Sequence, residues 1–70
     1  MTAKEMFLQI GYTEEEDDDF VEYSGLHYSI KINKFNQAIW KESFDDEDAS
    51  TTFVVYEIKA INKKIKELGW

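Results

Sequence analysis

The sequence contains no cysteine and no proline, all eight of its basic residues are lysines, and histidine occurs once. Without cysteine there is no disulfide, thiol nucleophile, zinc finger or iron–sulfur ligand set, although redox compartment stays open. Glycine is scarce as well: Gly11, Gly25 and Gly69 stand alone, so no glycine-rich loop can cradle a phosphate. No stretch approaches the roughly 18 apolar residues of a membrane span, and the start of the chain carries no small-residue cleavage site. A soluble, cytoplasmic protein is the expectation.

What is present is acid and aromatic surface. The 70 residues carry 15 Asp and Glu, for a formal charge of −7, and yet 43% are hydrophobic and 16% aromatic. That apolar content implies a folded core rather than a disordered chain. With no covalent or metal staple, a core this small supplies about 3–5 kcal/mol of stability. A pI near 4.5 disfavours direct nucleic-acid binding through the phosphate backbone.

Thr2 and Glu5 have capping-box spacing, and Ala3, Met6, Phe7 and Ile10 follow on one face, which predicts a helix over 3–10 ended by Gly11 with Tyr12 folded back. The six consecutive acids Glu14, Glu15, Glu16, Asp17, Asp18 and Asp19 read as a solvated loop. A two-residue period then begins at Phe20. Leu26, Tyr28, Ile30 and Ile32 alternate with polar residues, and a turn at Ser24-Gly25 would pair Tyr23 with Leu26 and Val21 with Tyr28, leaving Glu22 opposite His27. After a turn at 34–36, a third strand over 37–44 is read with Ala38, Trp40 and Phe44 inward and Ile39 outward beside Phe20.

A second acidic loop, Asp45, Asp46, Glu47 and Asp48, precedes Thr51-Thr52-Phe53, which is either a short strand or the approach to the last helix. That helix is expected over 55–67, with Val54, Ile58, Ile61, Ile65 and Leu68 as its apolar stripe and Leu68-Gly69-Trp70 repeating the ending of the first. The expected fold is one α+β domain over 1–70, a three-stranded antiparallel sheet flanked by an N-terminal and a C-terminal helix (α-β-β-β-α). Charge divides along it: residues 1–56 hold 13 acids and 4 lysines, a net of −9, and residues 57–70 hold 2 acids and 4 lysines, a net of +2.

No constellation points to catalysis. His27 lacks a nucleophile or a second histidine at a supporting spacing, and acids in exposed runs lack the desolvated partner that acid–base work needs. A calcium loop starting at Asp45 fails, because Ser50 stands where glycine and Tyr56 where glutamate is required. No enzyme activity, cofactor or metal is expected. Protein binding is: Phe20 and Ile39 on the open sheet face, Phe35 in a turn with no structural duty, and the acid runs 14–19 and 45–48 are the candidate contacts. The alternative is a nucleic-acid mimic, whose carboxylates imitate duplex phosphates and occupy the basic groove of a nuclease or other DNA-binding protein. A homodimer through a free strand edge or the open face is compatible with either reading.

Two stretches carry a resemblance: residues 3–12, from Ala3 through Phe7 to Gly11-Tyr12, and residues 58–70, from Ile58 through Ile65 to Gly69-Trp70. They resemble a group of small uncharacterised proteins carried by phages and prophages of Gram-positive bacteria. The likeness extends loosely over the acidic loop and strands between. It implies a small accessory protein acting on a host protein. The chain departs from that group at the start of the last helix, where Val54-Val55-Tyr56-Glu57 replaces a Thr-Met-Glu-Glu-like run and no N-cap side chain is offered at Val54.

Overall fold

The computed structural model describes residues 1–45 and 52–70. In chain order they form helix α1 (Ala3–Gln9), strands β1 (Thr13–Glu16), β2 (Phe20–Ser24), β3 (Tyr28–Asn33) and β4 (Ala38–Ser43), and helix α2 (Val55–Glu67). The architecture is α+β, as expected. The sheet, however, has four antiparallel strands in the order β1-β2-β3-β4 rather than three.

The extra strand is the first half of the acid run. Glutamate is a poor strand former, and a run of acids reads as solvated. Alternation resolves the conflict: Glu14 and Glu16 lie opposite Tyr23 and Val21 on the core side, and Glu15 lies opposite Glu22 on the other. The inward pair meets lysine. Lys64 Nζ of α2 stands 2.6 Å from Glu16 Oε1 and 3.5 Å from Glu14 Oε1, and Tyr23 donates its hydroxyl to Glu14 at 2.6 Å. The second half is a turn, in which Asp17 Oδ1 accepts the backbone N–H groups of Asp19 and Phe20.

Between β2 and β3 the connection is longer than two residues, because Tyr23 pairs with Ile30 and Val21 with Ile32. This register differs from the expected one by four residues on β3. An even shift keeps every side chain on its expected face, so Val21, Tyr23, Ile30 and Ile32 are still buried. Leu26 is released into the loop, 84% exposed, and His27 pairs with Asp45 instead of lying opposite Glu22, whose partner is Lys31.

On β4 the expected faces are reversed. Ile39 lies opposite Ile32 and packs against the core, while Trp40 lies opposite Lys31 on the open face with Ala38, and Phe44 follows the strand exposed. The cause is Lys41, which shares a face with Ile39. Its ammonium reaches Glu57 of α2 at 2.9 Å, and this buried contact fixes the parity of the whole strand.

Both helices cover the core side. Phe7 of α1 stacks on Tyr23 with centroids 3.6 Å apart and meets Tyr12 edge-on at 5.8 Å. The Thr2–Glu5 capping box forms, and Glu67 of α2 accepts the Ala3 N–H at 2.7 Å. Each helix ends in the same six-residue closure: Tyr12 N–H to Phe7 O and Trp70 N–H to Ile65 O, across Gly11 at φ 94° and Gly69 at φ 79°. The limits of α2 match the expectation, but its inward stripe is rotated. Glu57, Ala60, Ile61 and Lys64 are buried and Ile65 and Leu68 partly so, whereas Val54 and Ile58 are exposed. In place of an N-cap side chain, Glu57 reaches back to accept the Val54 N–H at 2.9 Å. Residues 52–54 form no strand, and Phe53 packs against the core. Among the described residues no helix is long and apolar enough to cross a membrane.

Candidate functional site

With both helices on one side, no described element covers the other side of the sheet, and its side chains form rows across the strands. One row runs Glu15, Glu22, Lys31, Trp40; a second runs Phe20, Asn33, Ala38. Strands two apart in a sheet are separated by roughly 9.5 Å. The Phe20 and Trp40 rings nevertheless lie with centroids 6.4 Å apart at 88°, so the two side chains lean toward each other over β3. The Trp40 indole N–H donates to Glu42 Oε1 at 3.0 Å, which fixes its ring. Beside this pair lies a groove of about 450 Å³, lined by Phe20, Trp40, Lys31, Glu15, Glu16, Asp17 and Glu22.

The charges of the groove are unequally satisfied. Lys31 is shared between Glu42 at 3.2 Å and Glu22 at 3.7 Å. Glu42 is held below the usual carboxylate range by the indole hydrogen bond and then by Lys31. Glu16 lies between Lys34, at 2.8 Å, and Lys64, whose hydrogen bonds depress its pKa in the same way. Asp17 is depressed by the Phe20 and Asp19 amides. Glu15 makes no ion pair with a described residue.

The sequence-derived contacts therefore separate. Phe20 is on the open face, 40% exposed, and Phe35 projects from the β3–β4 turn at 80% exposure, where Asn33 Oδ1 accepts its N–H. Ile39 is withdrawn into the core and Trp40 takes its place beside Phe20. Of the first acid run, Glu14 and Glu16 are committed to lysines, Glu15 faces the groove, Asp17 shapes a turn, and Asp18 and Asp19 are exposed. Asp45 is paired with His27; Asp46, Glu47 and Asp48 lie outside the described residues. Trp40, Glu22 and Lys31 are the groove residues that sequence reasoning missed; the parity of Lys41 is the signal that finds Trp40, whereas Glu22 and Lys31 already alternate onto the open face. Among the described residues no group of three His, Cys, Asp or Glu side chains is arranged to hold a metal ion.

The chain matches no protein-family model, no curated protein and no solved structure.

Proposed function

We propose that the chain is a small, acidic, non-enzymatic protein-binding accessory protein, of the phage kind that its two ends resemble, and that it engages its partner through the open face of the sheet. The observation that supports this reading is the Phe20–Trp40 pair: two large aromatic rings that meet over β3 on a sheet face no described element covers, beside charged side chains. Interfaces concentrate their energy in such anchors, with a polar rim that excludes water around them. The mimic reading draws less support, because Glu14 and Glu16 are neutralised by Lys64 and Lys34 and present no free phosphate-like charge.

The experiment is capture of host proteins from a Gram-positive lysate on the tagged chain, run in parallel with a Phe20→Ser/Trp40→Ser double variant and eluted with a salt gradient. A partner retained at high salt by the wild type and lost by the variant supports the reading. A nucleic-acid-binding protein that leaves both columns at the same moderate salt supports the mimic instead.

A further inference from the structure

Resting on the reading that the open face binds a protein, we infer that the groove beside Phe20 and Trp40 receives the guanidinium group of an arginine on that partner. The two rings meet at 88°, so a cation entering beside them finds one aromatic surface and then another at right angles to it. Aromatic faces attract cations through their quadrupole, and a planar guanidinium can in addition stack flat. The indole is already held by Glu42, so binding does not have to order it.

Charge complementarity selects the same occupant. Four acidic residues and one lysine, Lys31, line the groove, and Glu15 and Glu22 share its open sheet face. Lys31 is held by Glu42 and Glu22, and Glu16 is taken up by Lys34 and Lys64, which leaves Glu15 without a cation among the described residues. Glu15 stands directly opposite Glu22 on the same sheet face. Like charges in that position repel, and of the two only Glu22 has a lysine, Lys31, beside it among the described residues. A forked donor placed between the two carboxylates turns that repulsion into attraction, and guanidinium offers the fork where a lysine ammonium offers only a point charge. The volume of about 450 Å³ falls in the range of small-ligand pockets. Because the chain itself contains no arginine, a second copy cannot supply the group.

The test is a ¹H–¹⁵N NMR titration of the intact protein with a blocked pentapeptide carrying one central arginine between glycines, against the same peptide with citrulline. The arginine peptide is expected to shift the amides of Glu15, Phe20 and Glu22 and the Trp40 indole N–H saturably, and the citrulline peptide is not. Trp40→Leu should weaken binding about tenfold and Glu15→Gln about threefold, each with the remaining spectrum intact to show that the variant folds. Equal shifts with both peptides, or none at the groove, overturn the inference. If that happens while partner capture is still lost in Phe20→Ser/Trp40→Ser, the guanidinium assignment falls alone; if capture is unchanged by the double variant, the reading beneath it falls.

Discussion

Lys41 Nζ sits 2.9 Å from Glu57 Oε1 beneath the α2 helix, and each side chain is only 5% exposed. The carboxylate is fully used: its second oxygen accepts the Tyr12 hydroxyl at 2.5 Å, and Oε1 also accepts the Val54 N–H. Removing one partner of a buried pair leaves a charge in low dielectric and costs about 3–5 kcal/mol. A fold of this size has about that much to lose. Lys41→Met should therefore be largely unfolded at 25 °C by circular dichroism. Adding Glu57→Gln should restore at least about 1 kcal/mol, because the amide oxygen still accepts from Tyr12 while no charge is stranded.

Adjacent lysines on α2 have opposite surroundings. Lys64 is buried and held by Glu16 and Glu14, and Lys63 is exposed. Lys64→Met should cost about 3 kcal/mol in urea unfolding, since the largely buried Glu14 loses its cation on the covered side of the sheet while Glu16 keeps only Lys34. Lys63→Met should change stability by less than about 0.5 kcal/mol. Equal effects would mean that β1 is not held against α2 by this lysine.

Local signals were legible wherever one short segment decides its own structure. The α1 capping box, the paired glycine-aromatic closures at Gly11 and Gly69, and the limits of α2 all follow from residues within a turn of each other. Burial of the β2 and β3 apolar residues was legible too, because the register change on β3 was even. What was hidden depends on pairs distant in sequence. The inward glutamates of Glu14–Glu16 meet Lys64 from nearly fifty residues away, and Ile39 turns inward on a strand whose Lys41 reaches Glu57. Counting apolar residues per face gave the wrong side of β4, since the residue that fixes its parity is a lysine. The rotated stripe of α2 has the same origin, with Glu57 and Lys64 inside and Ile58 outside.

The reversed β4 is open to a direct test. Ile39 packs against the core opposite Ile32, so Ile39→Ala should cost about 2 kcal/mol. Phe20 contributes chiefly an edge-on contact to Trp40, worth about 0.5–1.5 kcal/mol, so Phe20→Ser should cost about 1 kcal/mol. Urea titrations of the two variants should rank them in that order. The opposite ranking would return Trp40 to the inward face and remove the groove.

Stability should be flat across neutral pH and fall at both ends, for identifiable reasons. Burial pushes the Glu57 carboxyl up, but hydrogen bonds from Tyr12, Val54 and Lys41, with the Lys41 charge, outweigh it and hold the group below its ordinary value of 4.5. Glu16 is lowered by Lys34 and Lys64. For carboxylates depressed in the folded state, the stabilisation is present above the unfolded value and disappears as pH falls through the folded one. The acid limb should therefore begin near pH 4.5, and Glu16→Gln should make it shallower. At the other end, burial and then the Glu57 contact push the Tyr12 hydroxyl above its ordinary 10.0, and burial with Glu14 does the same for Tyr23. Lys64 is raised above 10.5, because Glu16, Glu14 and Glu67 outweigh the effect of burial. Groups raised in the folded state stabilise fully below the unfolded value and stop doing so as pH climbs through the folded one. The alkaline limb should begin near pH 10, with Tyr23→Phe removing part of its slope. Urea midpoints measured from pH 3 to 11 would show both limbs, and a midpoint that instead rises below pH 4.5 would mean that these carboxylates are not paired in the folded chain.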